Sequence, residues 1–173
     1  MTLVGTPTLF IDGEWCASSD GGRRPTYNPY DASVIMHVDE ATSNDARRAI
    51  AAAKAFFSSS DWSRRSYQDR CELLNRMADS LQKNKSELAR IETIDTGKTL
   101  GESEIDIDDV TNVFRFYAKE TLKLAEDKRV TGPLVPESVK SLIVHEPVGV
   151  CVLITPWNYP ILPVSYTHLT LPT

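Results

Sequence analysis

Four consecutive residues, Thr155, Pro156, Trp157 and Asn158, carry the side chains of this sequence best suited to meet a ligand. Asn158 offers two N–H donors and an acceptor, and Trp157 a flat apolar face with one N–H donor. A carboxamide held there could donate to an oxyanion. The other reading is structural: a strand exit in which Trp157 is core and Asn158 caps the next element. Spacing alone leaves both open. Upstream, Val150, Val152 and Ile154 belong to an apolar, mostly β-branched run that predicts a buried strand. Pro156 has no N–H for a sheet and biases Thr155 toward extended backbone, so the chain leaves the strand abruptly. Ligands of open α/β sheets sit outside the carboxyl ends of such strands.

The other candidates are weaker. Gly97-Lys98-Thr99 ends like a phosphate-binding loop, but Glu92 stands where that motif needs its first glycine. Asp95-Thr96-Gly97 has the triplet of aspartic proteases, which share a proton between two aspartates. Here it closes a helical pattern, Lys98 follows in place of a small hydroxyl residue, and a second copy or a dimer would be needed. A helix C-terminus is the simpler reading. His37, His145 and His168 have no metal-ligand spacing. Cys151 falls in the expected buried strand and reads as inert packing; Cys71 falls on a helix flank and Cys16 in a turn. The residues alone define no nucleophile and no general base.

The elements that must position residues 155–158 follow from periodicity. Residues 9–38 read as a β-rich arm, with Asp12-Gly13 as a hairpin turn, a loop over residues 18–22 and a turn at Asn28-Pro29. Four helices follow. The first is capped by Thr42 with Asp45 three residues on, and its Ala46, Ala49, Ile50, Ala53, Phe56 and Phe57 face predicts burial against a neighbour. The second starts near Ser66 with Asp69, carries Leu73, Leu74, Met77 and Leu81, and stops at Asn84. The third is expected to be capped by Ser86 and to end at Gly97, with Lys98 complementing its dipole. The fourth is expected from about Ser103 to Leu124, with an acidic start and an apolar face of Val110, Val113, Phe114 and Tyr117. An extended linker over residues 131–136 and a strand over residues 139–145 lead to the run at Val150.

The 173 residues suffice for one domain or a large piece of one, with no internal repeat. Hydrophobic residues make up 41% and charged residues 25%, an ordinary globular mix. A formal charge of −5, a pI near 5.2 and the absence of a Lys/Arg run argue against nucleic-acid binding. From these residues neither a secretory leader nor a membrane-spanning stretch is expected. Three scattered cysteines indicate neither a disulfide framework nor a zinc site, and a cytoplasmic location is expected.

Taken in order, several stretches together resemble the N-terminal third of the NAD(P)-dependent aldehyde dehydrogenase superfamily. They are residues 9–15, 27–29, 49–56, 88–98, 146–150 and 154–160, so the resemblance covers about residues 8 to 162. Asp-Thr-Gly-Lys at 95–98 and Pro-Trp-Asn-Tyr-Pro at 156–160 look most like the betaine-aldehyde branch. The fold this implies is α/β: the N-terminal part of a Rossmann-like domain with a β-rich arm and outer helices, truncated. The activity implied is oxidation of an aldehyde, such as betaine aldehyde or an amino-aldehyde, to its acid with NAD or NADP. Asn158 falls on the family's oxyanion asparagine, and removing one such donor costs about 2.7–4 kcal/mol of barrier stabilisation. Ile154, Thr155, Pro156 and Trp157 fall where the family contacts NAD. Thr26, Tyr27 and Asp95 fall near the elements that hold a monovalent cation such as potassium, whose preference for oxygen ligands they suit. A homo-oligomer is implied for the full-length protein.

Departures from the family are as informative. Its members are nearly three times as long, and nothing here matches the nucleotide-binding glycine loop, the general-base glutamate or the nucleophilic cysteine. The chain alone is therefore expected to be inactive and marginally stable. The alternative is a truncated paralogue that acts only by association with full-length subunits. Similarity ends after Leu162, where Tyr166-Thr167 replace a Trp-Lys pair of the family. Residues 163–173 are expected to be a non-family tail left by a frame shift or a sequencing scar.

Overall fold

Asp12 and Gly13 both take positive φ, 55° and 83°, as a two-residue hairpin turn requires. They join β1 (Leu9–Ile11) to β2 (Glu14–Cys16) in an antiparallel pair. Phe10 and Trp15 face each other across it, ring centroids 5.1 Å apart. A second antiparallel pair, β3 (Arg23–Tyr27) with β4 (Val34–Asp39), carries a register shift at Thr26/Tyr27. The computed structural model describes residues 7–59, 62, 65–123, 138–139 and 146–169. The expected linker at residues 131–136 lies outside them. So does the strand expected over residues 139–145, save for Val139, which is exposed.

Two buried aspartates brace this region: Asp39 ties the arm together, and Asp45 fastens it to the first helix, α1 (Ser43–Ser59). Asp39 accepts from the Thr8 N–H at 2.8 Å, the Thr8 hydroxyl at 3.0 Å and the Ser18 N–H at 3.4 Å. Asp45 accepts from the backbone N–H and hydroxyl of both Thr42 and Ser19, at 2.8–3.1 Å. The N–H groups of Thr42 and Ser19 therefore hold the Asp45 carboxyl well below the usual carboxylate range. The expected cap is present, but the expected burial of α1 is not. Asp45 is its buried residue, while Ile50, Phe56 and Phe57 stay exposed. Nothing in the described chain covers that apolar face.

Side-chain caps repeat along the helical layer. Ser66 and Asp69 form a reciprocal capping box at the start of α2 (Tyr67–Lys83). Thr99 and Glu102 do the same for α4 (Leu100–Lys123), with the Thr99 N–H donating to Glu102 at 3.1 Å and the Glu102 N–H to the Thr99 hydroxyl at 3.3 Å. The fourth helix thus begins three residues before Ser103, because the Thr-x-x-Glu cap sets its start. Between them α3 (Lys85–Thr96) has Asn84 at its N-cap, whose side chain donates back to the Ser80 carbonyl at 2.8 Å instead of capping α3, and Ser86 lies inside the first turn. Gly97 closes α3 in the left-handed region, φ 80°, as expected.

The core lies between α2 and α4. Ala78, Val110 and Phe114 are buried there, and Leu74, Leu81, Ile161 and Leu162 pack against them. Met77, expected in this stripe, is 42% exposed; the small Ala78 faces α4 instead and lets the helices approach. Ala89 and Glu92 of α3 are buried against α4. The short α5 (Leu162–Leu169) returns to α4 and buries Pro163 and Ser165.

The expected buried strand at residues 150–154 is absent. This stretch has no ladder partner among the described residues, and Val152 and Ile154 are 74% and 86% exposed. β-Branched residues suit a pleated, half-buried surface but cannot supply its second strand, and an isolated strand leaves its backbone groups unpaired. Cys151 is consequently exposed rather than buried packing.

Candidate functional site

Tyr159, Ile161 and Leu162 tie the candidate loop to the helical layer. Ile161 and Leu162 sit on the α2–α4 core. The ring of Tyr159 lies over the Lys98 ammonium, Nζ 3.7 Å from the ring centroid. Just before this anchor, Trp157 and Asn158 form an exposed turn, with Trp157 85% exposed. Asn158 therefore stands at the tip of a loop held firmly on its C-terminal side. Trp157 as a core residue is excluded by its exposure. On the N-terminal side Thr155 is half-buried, and Ile154 and Pro156 are exposed.

The cluster beneath this loop is polar and largely buried. Lys98 Nζ donates to Glu92 Oε1 at 3.1 Å and to Asp106 Oδ2 in a short contact. Burial opposes the Lys98 charge, but Asp106 and Glu92 together outweigh it and leave the ammonium pKa above its usual value. Burial pushes the Glu92 carboxyl up despite Lys98. Glu92 is 2% exposed, and its Oε2 has no hydrogen-bond partner among the described residues. Lys98, Glu102, Ile105, Asp106 and Tyr159 line one open cleft. The glutamate that spoils the phosphate-loop pattern is thus the ion partner of the lysine that suggests it. Sequence reasoning assigned Lys98 to the α3 dipole and missed this cluster. The available signal was a lysine placed directly after a left-handed glycine, where the chain doubles back over its own helix.

The residues implied for a monovalent cation lie on two elements that the structure brings together. Thr26 and Tyr27 stand at the end of β3, where the Thr26 hydroxyl donates to the Met36 carbonyl at 3.4 Å. Asp95 is exposed in the last turn of α3. The turn after Tyr27 meets the end of that helix so closely that a Cβ on Gly97 would fall 2.9 Å from Pro29 Cγ. Among the described residues, no three His, Cys, Asp or Glu side chains converge as a metal site.

Of the cysteines, Cys71 is buried on α2 within 3.6 Å of the Asn75 amide, Cys16 is half-buried, and all three are free thiols. No helix of the described residues is long and apolar enough to cross a membrane.

Known proteins resemble this chain in sequence and fold. Residues 15–169 match the Aldehyde dehydrogenase family. Betaine aldehyde dehydrogenase of Bacillus subtilis is 42% identical over 159 residues, which is 92% of this chain and 32% of that protein. A peroxisomal aminoaldehyde dehydrogenase 2 of Pisum sativum is 39% identical over 162 residues, again 92% and 32%. The crystal structure of Staphylococcus aureus betaine aldehyde dehydrogenase in complex with NAD+ superposes with a TM-score of 0.85 at 41% identity, covering 94% of this chain and 32% of that one. The chain spans about a third of the length of these relatives. A match over nearly all of its residues, in sequence and in fold, makes it a member of the aldehyde dehydrogenase family, corresponding to one third of such an enzyme.

Proposed function

We propose that these residues form the oxyanion side of an active site that oxidises an aldehyde to its carboxylic acid with NAD. Betaine aldehyde or a related amino-aldehyde is the proposed substrate class. The reading rests on family membership together with one local observation: Asn158 sits exposed at the tip of a loop anchored by Tyr159, Ile161 and Leu162. As a nucleophile adds to the carbonyl carbon, charge builds on the carbonyl oxygen. The Asn158 carboxamide donates an N–H to it there, where a fixed donor lowers the barrier most.

The exposed apolar faces of Ile154 and Trp157, with the Thr155 hydroxyl between them, suit the ring and ribose portions of a dinucleotide. They do not suit its phosphates, and the sequence holds no glycine loop for those. When bound, NAD supplies the hydride acceptor. Thr26, Tyr27 and Asp95 would contribute oxygens to a monovalent cation that braces the β3 turn against α3. The nucleophile and general base come from outside these 173 residues, so the chain alone does not turn over. The exposed Ile50, Phe56 and Phe57 face of α1 is the surface proposed for packing within a homo-oligomeric enzyme.

A chimera tests this. Residues 1–162 replace the matching third of the Bacillus subtilis enzyme, and NADH formation from betaine aldehyde is followed by absorbance. The chimera is expected to turn over and the 173-residue chain alone to give no NADH. In the chimera, Asn158→Ala is expected to lower kcat about 10²–10³-fold. Full kcat in that variant would remove Asn158 from the reaction.

A further inference from the structure

Lys98 joins three parts of the chain that are distant in sequence. Its ammonium meets Glu92 of α3, Asp106 of α4 and the ring of Tyr159 in the candidate loop. The lysine side chain is only 14% exposed. Two carboxylates on two packed helices fix where its charge lies, because each is buried and set by helix backbone. Gly97 makes this reach feasible, since its left-handed backbone turns the chain back toward Glu92. The positive charge is therefore pre-placed, and the aromatic ring comes to it.

Tyr159 directly follows Asn158. Upstream of Asn158, residues 146–156 have no ladder partner among the described residues and are largely exposed, so they do not orient the carboxamide. Downstream there are two holds: the apolar seat of Ile161 and Leu162, and the Lys98–Tyr159 contact. The apolar seat lies three residues away and leaves the intervening dihedrals free. The ammonium–ring contact acts at the neighbouring residue. Glu102 and Ile105 line the same cleft, but neither offers the ring a charge of attractive sign.

We propose that Lys98 is a positioning residue for Asn158: its ammonium, fixed between Glu92 and Asp106, holds the Tyr159 ring and thereby sets the orientation of the adjoining carboxamide. The inference builds on Asn158 as the oxyanion donor, yet its test is independent of that role. Lys98 does not touch the reacting atoms; it acts through Tyr159.

The test uses amide hydrogen exchange and the NMR signals of the Asn158 side-chain NH2 in the 173-residue chain. Lys98→Met is expected to raise exchange at residues 157–159 about tenfold, the size of a partly desolvated cation–ring contact. The Asn158 NH2 signals should collapse toward random-coil positions. Tyr159→Leu should reproduce both effects. Tyr159→Phe and Lys98→Arg, which keep ring and charge, should restore the original exchange. Lys98→Met strands two buried carboxylates, so Tyr159→Leu, which strands none, decides the matter should the first variant fail to fold. The proposal is overturned if Tyr159→Leu leaves residues 157–159 unchanged, or if exchange rises equally throughout α2 and α4. The kcat of the Asn158→Ala chimera reports on the oxyanion reading separately.

Discussion

The helical layer and residues 146–158 both carry runs of apolar side chains, denser in the second, and end up in opposite states. Val110 and Phe114 are buried between α4 and α2, whereas Val148, Val150, Val152 and Ile154 face solvent. The difference lies in where each finds its partners. Helix hydrogen bonds close within the segment, and the second helix lies a few turns along the same chain. A strand needs a neighbour for every second backbone group, and no described residue provides one. Local chemistry thus completes the scaffold, while the run leading to Asn158 has no partner among the described residues. Asn158 escapes that fate only because its downstream anchor belongs to the scaffold.

The sharpest way to break this contrast is through the scaffold's core. Phe114→Ala opens a cavity between α2 and α4 and is expected to cost about 3–5 kcal/mol, comparable to the whole stability of a small domain. Chemical denaturation should show cooperative unfolding lost. A transition of unchanged midpoint would mean that the α2–α4 contact is not what holds the layer together. Gly97→Ala comes next, at about 1–2 kcal/mol, because φ 80° disfavours an L side chain and the new Cβ would meet Pro29 at 2.9 Å. Gly101→Ala is its control. Gly101 is helical with nothing within 4 Å of a new Cβ, so the same change there should stabilise by about 0.5–1 kcal/mol. Two destabilising results of equal size would remove the special role of Gly97.

A smaller effect concerns the charge cluster under the loop. Burial raises the Glu92 carboxyl pKa, so the folded chain binds this proton more readily than the unfolded one. The stability this provides is full below the unfolded value of about 4.3 and is lost as pH rises through the folded value. Glu92→Gln keeps an acceptor for Lys98 and places an N–H donor at the orphaned oxygen position. The variant should therefore gain thermal stability relative to the parent at pH 7 but not at pH 4. A gain at pH 4 that vanishes at pH 7 would reverse the assignment.

The elements legible in the sequence were those whose signals are local. Thr42/Asp45 and Ser66/Asp69 announced helix starts because a cap is a contact over three residues, and Asp12-Gly13 announced a hairpin for the same reason. Thr99/Glu102 has the same spacing, but the acidic cluster that follows drew the expected start to Ser103. Of the Lys98–Glu92–Asp106–Tyr159 cluster only the glycine–lysine step was legible, since the rest depends on how α3 crosses α4 and where a distant loop lands. Ala78 in place of Met77 is a lesson of the same kind: helix separation, not hydrophobicity, decides which residue faces the neighbour. Asn158 itself was visible only in company, through ordered matches spread over most of the chain, because one carboxamide after a proline has no chemical signature of its own.

The faintest effect is the most discriminating, because its size should depend on context alone. Val152 is 74% exposed in this chain, so Val152→Thr should change stability by no more than about 0.5 kcal/mol. In the chimera, the same position acquires the rest of an aldehyde dehydrogenase around it. If the β-branched run there becomes a buried strand, the threonine hydroxyl must lose water without a guaranteed partner, at about 1–3 kcal/mol. Thermal denaturation of both pairs measures the difference directly. Equal effects in the two settings would mean that residues 150–154 stay exposed even in the assembled enzyme. Asn158 would then be held by the Tyr159 side alone, and the apolar run would need another explanation. Unequal effects would show that in the chimera the Asn158 loop is secured twice, once by the scaffold described here and once by a sheet that the Bacillus subtilis part supplies.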